Sequence, residues 1–367
     1  MTNGSIVLLG CGDVGPCHEP VESFCTLARP VFATADLRFA QCERMCTDKG
    51  SLQPRGSPTG RTKPHMDSLY DYCGFNVVSV ASNHAMDWGG DALLDAIARL
   101  QKKDIHVMGG GRNIEAARKP AIIEKNGVKV AFLAYCSILH PGWEAGPDKA
   151  GIAPMRVHTY YEPIESQPGL PPRVVTIPYL EDLEAMVEDI RKAKAAAHAV
   201  IVSMHWGLHF VPRVIAEYQT IVAKAAFKAG ADLILGHHAH VAKAIEVFDG
   251  KACFYSLGNF IMSDFAASQP RFIKKLKFYG VTANVDESPR CPHGKDSKHS
   301  LIVKAVLSCK GIEKLSFLPV QIDRELRPEV LLRNDPRFDE SVNFMEWVSE
   351  GFNHKFAVEG DEVVVAT

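Results

Sequence analysis

The sequence has no long apolar run; nowhere do about 18 uninterrupted apolar residues occur, the length a helix needs to cross a bilayer. It also lacks a charge excess. Lys and Arg number 41 against 43 Asp and Glu, a formal net charge of -2, and the isoelectric point lies near 6.7. Neither a nucleic-acid partner nor attraction to an anionic membrane is therefore expected. The opening residues, MTNGSIVLLGCGD, have neither the basic start nor the full apolar core of a secretory signal. Cysteine is sparse as well: ten in 367 residues cannot form a disulfide scaffold. With no export signal, reduced thiols and a cytoplasmic protein are the expectation. Cys42 and Cys46 could share a helical face, and Cys291 closely precedes His293 and His299, but neither set has zinc-finger spacing. The triple glycine at 109–111 fits neither a dinucleotide fingerprint nor a P-loop.

What is present is an ordinary globular composition, 46% hydrophobic and 23% charged, enough for one large domain or two modest ones. The informative pattern is a series of short apolar runs, each ending in a side chain that could serve chemistry. Ile6–Leu9 runs into Gly10-Cys11-Gly12-Asp13, which puts a carboxylate at a strand end, with glycines that allow close backbone approach. His18 follows five residues later and could be drawn into the same crevice. The segment before Gln41 and Glu43 resembles another strand ending in polar groups. Phe75–Val80 leads to Asn83, His84 and Asp87: an amide oxygen that adds no charge to a metal site, an imidazole that can donate a proton, and an acid spaced to fix that imidazole's tautomer. Val200–Met204 leads to His205 and, four residues on, to His209, which could contact substrate. Leu233–Leu235 stops at Gly236, and His237, His238 and His240 follow. Neutral imidazole is a good ligand for divalent transition metals, and two separated by one residue can reach one small volume.

Between these runs, Asp91–Leu100, Leu180–Ala197 and Gln219–Ala229 have helical periodicity, and Ile105–Met108 reads as a strand. Asn126-Gly127 and Asp249-Gly250 mark two-residue hairpin turns. Lys49–Pro64, rich in Gly, Pro, Ser and Thr, reads as a surface loop; it either covers a site and attracts an anion with Arg55, Arg61 and Lys63, or simply carries solvated charge. Residues 140–180 look like a long connection. Ser256 and Asn259 are candidates to orient the histidine loop. Residues 286–300 look polar and exposed, Leu301–Leu307 with Ile312–Pro319 look like a final hairpin, and the chain from about Gln321 reads as irregular with one helix near 341–351. Strand-helix-strand order with hairpins points to an α/β fold with a mostly parallel or mixed sheet under helical cover.

Taken together, GDVG at 12–15, FAQCE at 39–43, SNHAMDWG at 82–89, MHWG at 204–207, GHHAHV at 236–241 and YSLGNF at 255–260 resemble the capsule-synthesis CapA family. That family is named for poly-gamma-glutamate and is similar to the calcineurin-like metallophosphoesterases. The resemblance covers residues 4 to 322 and implies a two-layer β-sandwich flanked by helices over 1–322, with 323–367 as a C-terminal appendage. It implies two divalent ions, of manganese, zinc or iron. Asp13 and His240 would hold one, Asn83, His205 and His238 the other, with Glu43 between them and His84, helped by Asp87, as proton donor. Two such ions, about 3.5–4 Å apart, can activate a water for attack on phosphorus or on a carbonyl. Three departures stand out. Gly15 stands where ordinary phosphoesterases carry a histidine two residues after the aspartate, a loss that the resembled family shares. Gln41 replaces an asparagine, and His209 replaces a glutamate, which suggests a different substrate. The expectation is a metal-dependent hydrolase of a small anionic substrate, a phosphoester by default and an amide or lactam of gamma-glutamyl type as the alternative. A non-catalytic accessory factor for a polyglutamate-like polymer is the other alternative. No nucleic-acid or membrane partner is expected, and a homo-oligomer is left open.

Overall fold

The computed structural model describes residues 4–16, 18–262, 269–283 and 293–366. Strands of its two main sheets are numbered in chain order. The first four are β1 (Ile6–Gly15), β2 (Leu37–Cys42), β3 (Val77–Ser79) and β4 (His106–Met108). Then come β5 (Ala121–Lys125), β6 (Val128–Cys136), β7 (Ala199–His205), β8 (Leu233–His237), β9 (Ile245–Phe248) and β10 (Lys251–Phe254). The last are β11 (Asn259–Met262), β12 (His299–Ser308), β13 (Gly311–Ile322), β14 (Pro328–Val330), β15 (Phe356–Glu359) and β16 (Glu362–Val365). The longer helices are α1 (Gly89–Gln101), α2 (Leu180–Ala196), α3 (Glu217–Ala229), α4 (Gln269–Phe278) and α5 (Pro336–Ser349).

The ten-stranded sheet runs β15-β16-β13-β12-β1-β2-β3-β4, with β11 also on β1 and β14 also on β13. The six-stranded sheet runs β9-β10-β8-β7-β6-β5. In the first, β1, β2, β3, β4 and β11 are parallel; in the second, β6, β7, β8 and β10 are parallel, with antiparallel strands at both edges. This is a mixed α/β fold with flanking helices.

Alternation along β7 explains how the layers meet. Ala199 and Ile201 join the core shared with the larger sheet, while Val200, Val202 and Met204 join a second core with Met186 and Ile190 of α2 and Val222 and Ala226 of α3. A strand's side chains alternate between faces, so one sequence serves both layers. Across the first core, Phe39 of β2 stacks on Phe132 of β6 with ring centroids 6.2 Å apart. Burying each such ring contributes roughly 1.5–3 kcal/mol. The expected hairpins form: Lys125 pairs with Val128 around Asn126-Gly127, and Phe248 with Lys251 around Asp249-Gly250. The first two turn residues have φ of 52° and 78° and the second two 47° and 81°, as such tight turns require. Leu301 to Leu307 pairs with β13 as expected.

Several expectations are corrected. Residues 140–180 are not only a connection: Val157–Glu162 pairs with Arg173–Pro178, because β-branched and aromatic residues face one another across it, Tyr161 opposite Val174 and Thr159 opposite Thr176. The stretch after Ile322 is regular. Val330 pairs with Val320 and Val363 with Phe317, while Phe338, Met345 and Val348 of α5 enter the main core. Cys42 and Cys46 share no helix; the first ends β2 and the second lies in a short strand beside Thr62. Residues 286–292 lie outside the described residues, but His293, Ser297, His299 and Ser300 are buried rather than exposed, His299 being stacked on Phe344 with centroids 4.3 Å apart. Cys25 and Cys73 are joined in a disulfide, which overturns the expectation that all thiols are reduced and removes its support for a cytoplasmic setting. Among the described residues, no helix is long and apolar enough to cross a membrane.

Candidate metal centre

The carboxyl ends of β1, β2, β3, β7 and β8 bring their following residues to one place, the crevice position that parallel strands favour for ligands. Asp13 is aimed there by irregularities in the register of β1 on either side of it, toward β2 and toward β11. Gly12 is required beside it, since a Cβ there would lie 2.0 Å from the carbonyl oxygen of Gly258.

Asp13 and Glu43 are fully buried. Asp13 Oδ2 accepts from the backbone N–H of His238 at 3.2 Å, and Glu43 Oε2 accepts from Ser82 Oγ at 2.8 Å. Their other oxygens, Asp13 Oδ1 and Glu43 Oε1, meet no donor among the described residues. Burial pushes both carboxyls up to about 8, and the nearby Asp13 charge adds to the effect on Glu43. Two acids buried in this way are costly unless a cation shares their space.

The imidazoles meet them from the other side. Asn83 Oδ1 lies 2.7 Å from His205 Nε2 and 3.2 Å from His238 Nδ1. His205 Nε2 is 3.6 Å from Glu43 Oε2. Asp13, Glu43 and His205 each present a ligand-type atom, all within 4.8 Å of one another. His240 Nδ1 donates to Asn259 Oδ1 at 2.8 Å, an assignment made from the hydrogen-bond network. That leaves the lone pair on Nε2, which is 3.8 Å from Glu43 Oε1. Asn259 therefore orients the histidine loop as expected. His238 and His240 have φ of 88° and 57°, a left-handed backbone that non-glycine residues adopt rarely and chiefly at functional sites. Burial holds His205, His238 and His240 well below the usual imidazole range, so they are neutral with lone pairs available.

His84 stands at the mouth, with Nδ1 2.6 Å from Asp87 Oδ2 and Nε2 3.9 Å from Glu43 Oε1. The loop at 49–64 packs on this turn. The backbone N–H of Gln53 donates to Asp87 O at 2.8 Å, and the Arg61 guanidinium lies 3.4 Å over the Trp88 ring.

The remaining candidates are placed less centrally. Gln41 is buried and donates to Ala81 O at 3.1 Å, bracing two strand ends. The His209 ring lies 3.9 Å from that of His238 and 5.5 Å from that of His240. His18 is half-buried in the turn after β1. Two further histidines lie beside the cluster, one inside the histidine-rich run and one far from it in sequence. His237 points inward beside Phe39, 5.7 Å between rings, because it shares parity with Leu233 and Leu235; that alternation was the available signal. His293 stacks on His240 at 5.1 Å and on Phe210 at 5.4 Å, and no local pattern announces it. Oxygen and imidazole donors in this arrangement fit a divalent transition metal, and the cluster of Asp13, Glu43 and His205 has the capacity for one.

Residues 12–264 match the family described as bacterial capsule synthesis protein PGA_cap. The chain is similar to the PGA biosynthesis protein CapA of Bacillus subtilis (strain 168), 32% identical over 248 residues, which is 66% of this chain and 58% of that protein. It is also similar to the probable polyglutamine synthesis accessory protein Rv0574c of Mycobacterium tuberculosis (strain ATCC 25618 / H37Rv), 26% identical over 247 residues, 65% of this chain and 55% of that one. The chain thus spans about half the length of the curated relatives it matches. Among solved structures it is similar to the calcineurin-like phosphoesterase YfkN from Bacillus subtilis, with 14% identity and a TM-score of 0.44 over 95% of this chain and 99% of that one. The matched family region contains Asp13, Glu43, Asn83, His84, His205, His238 and His240, and the chain belongs to the bacterial capsule synthesis protein PGA_cap family.

Proposed function

We propose that this chain is a metal-binding accessory protein in the synthesis of a poly-gamma-glutamate-like polymer. The observation that carries the reading is the buried pair of Asp13 and Glu43, each with one oxygen that no described donor reaches, in a chain of this family. Its relatives' names, PGA biosynthesis protein and polyglutamine synthesis accessory protein, support the polymer. Asp13, Glu43, Asn83, His205, His238 and His240 are the residues that would hold manganese, zinc or iron. Once bound, such an ion polarises a ligand oxygen and lowers the pKa of a coordinated water. The site-bearing unit is residues 1–322, a metallophosphoesterase-like pair of sheet layers, and 323–367 extends its larger sheet.

A second reading, hydrolysis, is favoured by the His84–Asp87 pair, 2.6 Å apart at the mouth of the cluster. In that reading Asp87 fixes the tautomer of His84, which protonates the departing oxygen of a phosphoester or the nitrogen of a gamma-glutamyl amide. His209, its ring tilted against that of His238 and parallel to that of His240, would face the small anionic substrate.

One experiment separates the two. Manganese-loaded protein is incubated with poly-gamma-glutamate and a panel of phosphoesters, and polymer retention, polymer length and phosphate release are followed together. Retention without shortening supports the accessory role. Shortening or phosphate release that is lost in His84→Ala supports hydrolysis. Loaded protein that neither retains nor cleaves the polymer contradicts the first reading.

A further inference from the structure

Val157–Glu162 and Arg173–Pro178 form an antiparallel ribbon outside the two main sheets, and its two edges differ. At its base Tyr179 N–H donates to Arg156 O at 2.8 Å. Bonded pairs alternate with non-bonded ones along an antiparallel ladder. The backbone groups of Tyr160 and Val175 therefore meet across the ribbon, while those of Thr159 and Thr176 point outward. Pro178, with no N–H to give, also falls on an outward position. The Arg173–Pro178 edge is covered by the start of α3. Thr176 N–H donates to Glu217 Oε2 at 3.4 Å, Arg173 Nη2 to Glu217 Oε1 at 2.6 Å, and Tyr218 N–H to Thr176 Oγ1 at 3.2 Å. The other edge is bare. The outward backbone groups of Val157, Thr159 and Tyr161 have no partner among the described residues. Natural edge strands are blunted by lysine, proline, a bulge or a covering element, and Val157–Glu162 has none of these.

The ribbon also carries apolar side chains that two strands alone cannot bury. Tyr160 is 53% exposed on one face, and Tyr161 and Val174 are 69% and 52% exposed on the other. The bare strand is complementary to itself. Set antiparallel to a second copy about a two-fold axis at Thr159, it brings Val157 opposite Tyr161, His158 opposite Tyr160 and Arg156 opposite Glu162. Every outward N–H and C=O of Val157, Thr159 and Tyr161 is then paired, apolar and aromatic groups meet, and unlike charges face one another. An axis at Tyr160 would set Val157 opposite Pro163, which has no N–H. An axis at His158 would set Tyr161 opposite Met155, whose N–H is already given to Cys136 O. An anionic polymer is a poorer occupant, since Asp182 engages Arg156, and Glu162 and Glu217 engage Arg173. We propose that this edge is a self-association surface: two copies of the chain pair their Val157–Glu162 strands about Thr159 into a four-stranded ribbon. Such a contact uses the same patch on both copies and closes as a dimer.

The test is the mass of the chain in solution, by sedimentation or light scattering, from about 1 μM to about 1 mM, a range that spans contacts at the small, weak end of interfaces. The expected result is a rise from the mass of one chain toward that of two. The rise is expected to vanish in Thr159→Lys, which keeps the N–H but sets two ammonium groups against each other at the axis. Disulfide crosslinking reads the register. In a Cys309→Ser background, which removes the exposed free thiol, Thr159→Cys is expected to link two copies. Glu162→Cys is not, because its two thiols would lie about 20 Å apart. A parent that keeps the mass of one chain over the whole range would overturn the proposal. So would a dimer that persists in a folded Thr159→Lys, or one that crosslinks through Glu162→Cys and not through Thr159→Cys. Should Thr159→Lys fail to fold, the parent series and the two cysteine variants still decide.

Discussion

The hydroxyl of Ser82 donates to Glu43 Oε2 at 2.8 Å and accepts from the backbone N–H of His84 at 3.0 Å. One side chain thus ties the buried carboxylate to the loop that carries Asn83 and His84. Ser82→Ala leaves Glu43 with neither oxygen paired among the described donors. A drop of roughly 10–100-fold in manganese affinity is expected, because the groups that hold ligands are nearly as important as the ligands. A loss of about 1–3 kcal/mol in stability should accompany it. Calorimetric titration and thermal unfolding measure the two; unchanged affinity would separate Glu43 from the metal.

Metal affinity should rise with pH. In the metal-free protein, burial holds the carboxyls of Asp13 and Glu43 in their protonated forms up to about 8. An ion must displace those protons to bind below that pH and displaces none above it. Affinity is therefore expected to climb from pH 6 to 8 and level off beyond. The histidines, held neutral by burial, add no step in that range. Proton release, read by calorimetry in buffers of different ionisation heat, should fall toward zero by pH 9; a flat profile would contradict ionised Asp13 and Glu43 as ligands.

Gly60 sits against the acid that supports His84. A Cβ there would lie 1.8 Å from Asp87 Oδ2, so Gly60→Ala must move the carboxylate or the loop. Overpacking of this kind typically costs about 1–3 kcal/mol. The expected signature is a lowered melting temperature together with a shift in the His84 ring resonances, with metal content unchanged. Unshifted His84 resonances would contradict the tie between this loop and the dyad.

Cys25 and Cys73 close a loop of sequence separation 48. In the chain-entropy view, such a bridge contributes roughly 2–4 kcal/mol by restricting the unfolded chain. Cys25→Ser is expected to lower the unfolding free energy by about that amount in denaturant titrations, and reduction of the parent protein should have the same effect. Equal stability of oxidised and reduced protein would contradict a structural role.

The sequence made the strand ends legible because each apolar run stops where a polar ligand-type residue begins, as at Met204–His205. It was less informative where direction depends on the backbone. His237, His238 and His240 look alike as letters, yet His237 keeps the strand's parity and turns inward, while His238 and His240 adopt a positive φ that nothing in their composition requires. Contacts across long separations were hidden as well. His293 reaches His240 and Arg44 reaches Gly15 only through the tertiary fold. Cys25 and Cys73 meet because the elements that carry them pack together. The pairing of β14, β15 and β16 was missed because three- and four-residue strands at a sheet edge carry too little pattern to stand out from loop.

The most direct test of the metal centre is anomalous diffraction at the manganese edge from crystals of the loaded protein. The account requires a peak bounded by Asp13, Glu43 and His205, absent in crystals of an Asp13→Ala, His205→Ala variant that keeps its fold. A fully loaded crystal whose anomalous peaks all lie elsewhere would contradict it.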